Sequence, residues 1–100
     1  MIVMILVKVP PGLRGELTRW LLEVDAGVFV GHVSARVRDK LWKKCCQAKH
    51  VGGVTQIWST NNEQRFRIRM CGNTRREIVE LDGVQLIRIP HGKEKPKGVE

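Results

Sequence analysis

The sequence predicts an α+β domain in which two helices cover one face of a small, mostly antiparallel sheet. Apolar residues recur at helical spacing in two segments, one between residues 13 and 24 and one between residues 37 and 48. Segments rich in β-forming residues precede, separate and follow these helices. A chain of 100 residues makes one domain with one modest core. We therefore expect a single domain over residues 1–89 and a flexible basic tail over residues 90–100.

The first strand and the first helix come from the start of the chain. Residues 2–8 form a nearly continuous apolar run, which suits a central strand buried on both faces. Two consecutive prolines end this strand because proline cannot continue a ladder. The apolar stripe that follows predicts a helix that includes Val24. Gly27 is then expected to form the helix C-cap, before a short strand at residues 28–30.

The second helix is predicted to begin after Ser34, which is a good N-cap residue. Gly52 and Gly53 end it, since glycine disfavours a helix interior. The apolar stripe of this helix is expected to face the core, and the opposite face is basic. That face carries Arg36, Lys40, Lys43 and Lys44.

The remaining strands follow from alternation and turn signals. Residues 54–60 and 65–71 are predicted to form a hairpin around the polar turn at residues 61–64. Asp82–Gly83 is a strong hairpin turn signal, and a last strand is expected at residues 84–89.

This order of elements is that of the ferredoxin-like layout, in which two helices pack on one face of an antiparallel sheet. The other face of such a sheet needs a partner. A homodimer packed sheet to sheet would supply it.

The charge of the chain points to a polyanionic partner. Eighteen Lys and Arg residues stand against ten Asp and Glu residues, which gives a net charge of +8 and a pI near 10.0. Nucleic acid is the first candidate for such a basic surface, and an anionic membrane surface is the second. A surface that serves only solubility is the alternative.

The cysteines predict a reduced protein of the cytoplasm. Cys45, Cys46 and Cys71 are odd in number, and adjacent cysteines have a poor geometry for pairing. The apolar run at the start of the chain is too short to span a bilayer and lacks the flanks of a signal peptide. We therefore expect three thiols, no membrane segment and a cytoplasmic location.

Seven arginines are the candidate anion-binding residues. Three of them alternate with apolar residues on one predicted strand, roughly 6.5 Å apart, and therefore form a row on one face. Arginine suits phosphate because its planar fork forms two parallel hydrogen bonds. A solvated face that protects the sheet edge is the alternative. The seven are Arg65, Arg67 and Arg69 in the row, Arg75 and Arg76 in the next loop, and Arg14 and Arg19 on the first helix.

No pattern in the sequence predicts base readout or a metal site. RNA-binding sheets of this layout stack bases on aromatic side chains, whereas Trp20, Phe29 and Phe66 occupy expected core positions. Contact with the nucleic-acid backbone is therefore favoured. No metal-ligand spacing links the histidines, and the carboxylates cluster only loosely. The histidines are His32, His50 and His91, and the loosely clustered carboxylates are Glu16, Glu23 and Asp25.

Several motifs together resemble one protein family. They are Val-Pro-Pro-Gly-Leu-Arg-Gly-Glu-Leu at residues 9–17, Trp-Leu-Leu-Glu-Val at residues 20–24, Ala-Gly-Val-Phe-Val-Gly at residues 26–31, Val-Ser-Ala at residues 33–35, Asn-Thr-Arg-Arg at residues 73–76 and Leu-Asp-Gly at residues 81–83. The chain resembles the Cas-two family of CRISPR adaptation proteins, in its type I-E subtype, over residues 2 to about 89.

The resemblance implies a function in spacer acquisition for antiviral defence. Family members have the ferredoxin-like fold, form homodimers and bridge two dimers of the Cas-one integrase. The complex holds a short foreign DNA duplex, the protospacer, and integrates it into the CRISPR array, and the integrase holds the active site. This implies that Arg14, Arg75 and Arg76 contact the duplex backbone and that no cofactor is required. The last strand would contact the partner protein through Val84, Leu86, Ile87 and Ile89.

Two positions depart from the family pattern. Gly12 stands where relatives carry a second arginine, so one backbone contact would be missing. Some members are Mg²⁺-dependent endonucleases that use an acidic residue at the end of the first strand. That region here is Val7-Lys8-Val9, which has no carboxylate. The sequence therefore favours a scaffold without catalysis, and a Mg²⁺-dependent endonuclease acting on RNA or DNA is the alternative.

Overall fold

The structure, a computed structural model, describes residues 1–90. Residues 91–100, which form the predicted tail after Pro90 and include His91, lie outside the described residues. Two helices and seven strands follow one another in this part of the chain. They are β1 (Ile2–Leu6), α1 (Pro11–Thr18), β2 (Leu22–Asp25), β3 (Val28–Gly31), α2 (Ala35–Gln47), β4 (Gly53–Ser59), β5 (Phe66–Gly72), β6 (Glu77–Leu81) and β7 (Val84–Arg88).

Five strands form the main sheet in the order β2-β3-β1-β4-β5, and every neighbouring pair is antiparallel. Strands β6 and β7 form a separate hairpin. The order and the pairing confirm the predicted ferredoxin-like α+β layout. Neither helix in residues 1–90 has the length and apolar character needed to cross a membrane.

The core lies between the two helices and one face of the sheet. Alternate residues of β1 point into it because successive side chains of a strand face opposite ways. The fully buried side chains include Phe29 of β3, Leu17 of α1 and Leu41 of α2. The other face of β1 is open, since Ile5 is 39% exposed. The prediction that β1 is buried on both faces was therefore wrong for the single chain.

The first helix is shorter than predicted, and residues 22–25 form a strand. The Thr18 hydroxyl donates to the backbone carbonyls of Arg14 and Gly15, a bond that competes with helix continuation. Strand β2 then pairs with β3 around a turn in which Gly27 has φ +77°. A side chain at Gly27 would place its Cβ 2.3 Å from the Leu6 carbonyl oxygen. Gly27 is thus a hairpin glycine, and its assignment as a helix C-cap was wrong.

The second unpredicted strand is β6, which directly precedes the predicted turn at Asp82 and Gly83. It pairs with β7 around Asp82 and Gly83, whose φ angles are +51° and +81°. Two consecutive positive φ angles are the geometry of the hairpin turn that Asp-Gly favours. The turn prediction was confirmed, but the strand before the turn was missed because its sequence lacks strict alternation.

Two of the three cysteines form a disulfide. Cys46 in the last turn of α2 is bonded to Cys71 near the end of β5, and their Cα atoms are 6.1 Å apart. Cys45 is buried and free. The prediction of three thiols was therefore wrong for Cys46 and Cys71, because the packing of α2 beside β5 joins residues 25 positions apart in the sequence.

Candidate nucleic-acid and partner interfaces

The sheet face that the helices leave open is apolar across all five strands. The strand register aligns one aliphatic side chain from each strand in a continuous row. Leu22 at the β2 edge is 69% exposed, which is far outside the usual range for leucine in a covered sheet. The row consists of Leu22, Val30, Val3, Ile57 and Ile68. We call this surface the open face.

An apolar depression of about 320 Å³ lies at one corner of the open face. Its walls include Val3 and Ile57 of the row, together with Phe66. Contiguous exposed apolar surface of this kind marks interaction sites in soluble proteins.

The arginine row of β5 lies on the helix side of the sheet. The register pairs Arg69 with Gln56 and Arg67 with Trp58, and Gln56 is fully buried under the helices. Phe66, Ile68 and Met70 therefore point to the opposite face, as the alternation predicts.

Arg69 is held by side chains of α2 and β4. Its Nη2 donates to Asp39 at 2.8 Å, and its Nε donates to the buried Oε1 of Gln56 at 2.8 Å. Its guanidinium lies 4.6 Å from the ring centre of Trp42 and 4.8 Å from that of Trp58, which is cation–π distance. The hydrogen bond from Arg69 is the main reason that the pKa of Asp39 is lowered. Arg69 is thus bound within the domain through its Nε and Nη2 groups.

The other two arginines of the row have different surroundings. Arg67 lies 3.8 Å from the Glu80 carboxylate. Arg65 precedes β5, is exposed, and has no ion pair within residues 1–90. Its own backbone N–H donates to Asn62 Oδ1 at 2.7 Å in a turn where Arg65 has φ +71°. Arg65 thus lies outside the strand, and the predicted row is reduced to Arg67 and Arg69 within β5.

Arg75 and Arg76 lie on an exposed loop between β5 and β6. Neither takes part in an ion pair within the described part of the chain. The loop is attached to the sheet because the Asn73 N–H donates to the Gly52 carbonyl at 3.1 Å. The Thr74 hydroxyl also donates to the Arg76 carbonyl at 2.9 Å. Arg75 and Arg76 are therefore two adjacent cations on a loop whose backbone is hydrogen-bonded to the sheet.

Arg14 lies in α1, next to the β2–β3 hairpin. Its Nε donates to both carboxylate oxygens of Glu23, at 3.0 and 3.2 Å. The Arg14 bond, followed by the Gly27 N–H, lowers the pKa of Glu23. Arg19 caps the other end of α1, is 71% exposed in its side chain, and lies 4.0 Å from Glu16.

A chain of backbone bonds brings Arg14 and the Arg75–Arg76 loop to the same end of the sheet. The Leu6 N–H at the end of β1 donates to the carbonyl of the hairpin residue Gly27 at 2.8 Å. The next residue, Val7, donates to Gly53 at 3.0 Å, beside the Gly52 carbonyl that holds the loop. Arg19 and Arg65 do not belong to this group.

The predicted partner strand is largely exposed. Leu86, Ile87 and Ile89 are exposed and Val84 is half-buried, so β7 presents apolar side chains on both faces. Gln85 attaches the strand to β5, since its side-chain amide accepts from the Ile68 N–H at 2.8 Å and donates to the Ile68 carbonyl at 2.9 Å. Sequence reasoning missed Gln85, Gln56 and Asp39, because a lone polar residue carries no signal of the backbone or cation that it meets.

The end of β1 is basic. Lys8 follows it with φ +63°. Within residues 1–90, no three or more His, Cys, Asp or Glu side chains group closely enough to hold a metal ion.

The comparison with known families agrees with this architecture. A family model described as "CRISPR-associated protein (Cas_Cas2CT1978)" matches residues 1–86, which include every strand of the main sheet and both helices. The match covers far more than half of the 100 residues. The chain therefore belongs to this Cas-two-like family of CRISPR-associated proteins.

Proposed function

We propose that this protein is a cytoplasmic scaffold of CRISPR adaptation. It forms a homodimer, binds the backbone of a DNA duplex, and bridges two dimers of the Cas-one integrase while the duplex is inserted into the CRISPR array, as in type I-E systems. The observation that carries the proposal is the loop with Arg75 and Arg76, two exposed arginines outside every ion pair of residues 1–90, on a backbone bonded to the sheet.

The open face supports the homodimer. A second copy brings the same apolar row and would cover it by a two-fold axis, so that each residue of the row meets an equivalent surface. The helices and the charged loops would then lie on the outside of the dimer. Two copies of Arg75 and Arg76 would contact symmetric positions on one duplex.

Binding in this proposal is electrostatic and independent of sequence. Arginines that contact phosphates fix the position of a duplex without reading its bases. Arg14 lies at the same end of the sheet and would add one donor pair, because only its Nε is bonded to Glu23. No cofactor takes part in this function. Strand β7 with its exposed Leu86 and Ile87, together with Ile89 just after it, is the surface proposed for the integrase.

The experiment that tests the proposal is a titration of labelled duplexes of unrelated sequence with the protein, alone and with its integrase partner, at several salt concentrations. We expect Arg75→Ala with Arg76→Ala to weaken binding equally for all sequences. The slope of log K against log salt should become shallower by roughly 0.9 for each phosphate that the variant no longer binds. Arg65→Ala is the matched control, since it removes an exposed arginine outside the proposed site. Weaker binding to one sequence alone would contradict backbone recognition.

The endonuclease alternative has a distinct outcome in the same titration. Mg²⁺-dependent cleavage of DNA or RNA by the protein alone, abolished by mutation of Glu16, Glu23 or Asp25, would replace the scaffold with a nuclease. The residues at the end of β1 favour the scaffold, because a lysine there repels a cation.

A further inference from the structure

The disulfide joins α2 to the strand that leads into the arginine loop. Cys46 is the last residue but one of α2, and Cys71 is the last but one of β5. The bond therefore ties the helix to the residue just before Gly72, after which the loop of Arg75 and Arg76 begins. Besides this bond, the start of the loop is attached through the Asn73 N–H to the Gly52 carbonyl.

Contacts other than this bond also hold α2 in position. Cys45 and Leu41 are 1% and 2% exposed and keep the helix in the core. Arg69 adds a further attachment between β5 and α2 through Asp39. We therefore expect that opening the disulfide loosens the end of β5 and its loop while the domain stays folded.

We propose that the Cys46–Cys71 disulfide is a reversible redox site, opened by a dithiol reductant, that controls how well the Arg75–Arg76 loop binds DNA. The proposal rests on the proposed DNA-binding function of that loop. Disulfides of cytoplasmic proteins are usually transient or redox-sensing rather than structural. In the oxidised form the disulfide holds the loop in place. In the reduced form the loop is looser and has to become ordered when it binds DNA.

The exchange begins at Cys46, which is exposed, whereas Cys71 is half-buried. One thiolate of the reductant attacks the Cys46 sulfur, the protein disulfide breaks, and the Cys71 sulfur leaves as a thiolate that takes up a proton. The second thiolate of the reductant then attacks the mixed disulfide and releases Cys46, which is protonated in turn. The reductant leaves as a disulfide, and two electrons have passed to the protein. An oxidised dithiol of the same class reverses these steps.

Cys45 does not compete in this exchange. Burial raises the pKa of its thiol to about 11, so that it stays protonated at neutral pH. A protonated, buried thiol is a poor nucleophile towards the neighbouring bond. Cys45 therefore provides a matched control for substitutions of the bonded pair.

The test compares oxidised protein, protein reduced with dithiothreitol, and reoxidised protein in duplex titrations. We expect reduction to weaken binding roughly fivefold, about the cost of ordering one long side chain, and reoxidation to restore it. The salt slope should not change, because the same phosphates are bound. Cys46→Ser with Cys71→Ser should bind like the reduced protein and ignore dithiothreitol, whereas Cys45→Ala should keep the redox response.

Two further readouts separate this proposal from the proposed function. Peptide mapping without reduction should find residues 46 and 71 cross-linked, and hydrogen exchange at the Asn73 amide should accelerate on reduction. If binding requires Arg75 and Arg76 but is equal in both redox forms, the redox proposal fails and the scaffold stands. If no form binds DNA, the scaffold fails. Absence of the cross-linked peptide, or unchanged exchange at Asn73, overturns the redox site in either case.

Discussion

Replacing Arg69 with alanine is expected to cost stability rather than a phosphate contact. The substitution removes the donor that satisfies Gln56 Oε1, on a side chain that is 0% exposed. A buried acceptor left without its partner costs about 1–3 kcal/mol. The guanidinium also stacks on Trp42 and Trp58, each contact contributing about 0.5–1 kcal/mol at partly exposed sites.

Together these effects predict a fall of about 2–5 kcal/mol in the free energy of unfolding. The bond to Asp39 adds little to this value, because that carboxylate is exposed and water screens the pair. A change of this size is a large fraction of the roughly 5–15 kcal/mol by which a domain is stable.

The assay is urea unfolding followed by tryptophan fluorescence, which reports directly on the rings that Arg69 contacts. Arg65→Ala is the control, because it removes the same side chain from an exposed turn and should change the unfolding free energy by less than about 0.5 kcal/mol. Arg69→Lys should fall between the two, since lysine keeps the charge but lacks the planar fork. Equal stability of the two alanine variants would refute the assignment of Arg69 to the interior network.

Two more predictions concern the dimer and the response to acid. Ile57→Lys in the centre of the open face should weaken dimerisation by at least about a hundredfold in sedimentation equilibrium, because it buries an unpaired charge. Asn61→Lys in the exposed turn is the control. An unchanged dimer in the Ile57→Lys variant would exclude the open face as the interface. The pKa of Glu23 is lowered in the folded state from its usual 4.5, so its contribution to stability is present above that value and is lost as the pH falls through the lowered pKa. Glu23→Gln should accordingly show a smaller decrease in urea stability than the parent protein between pH 7 and pH 3, and an identical decrease in both would contradict the Arg14–Glu23 interaction.

The elements that local patterns determine were predicted well. Strand β1, helix α2, the β4–β5 hairpin and the Asp82–Gly83 turn all follow from periodicity or turn chemistry within a few residues. Strand β2 was missed because the apolar residues from Leu17 to Val24 fit a helical stripe as well as an alternating strand. Only the hydrogen bonding with β3 decides between helix and strand. This pairing depends on residues outside the short segment in which the hydrophobic period is recognised.

The features of the candidate site also divide into those that the local sequence predicts and those that the packing of the chain determines. The sequence alone indicates that the chain is basic, that Arg67 and Arg69 share one face of a strand, and that Arg75 and Arg76 lie in a loop. It also placed Arg65 in that strand, whereas the structure places it in the preceding turn. A period of two separates the faces of a strand but does not say which one meets the helices. The contacts of Arg69 with two tryptophans and the bond between Cys46 and Cys71 follow only from the folded structure, because the packing of α2 on β4 and β5 brings together side chains far apart in the sequence.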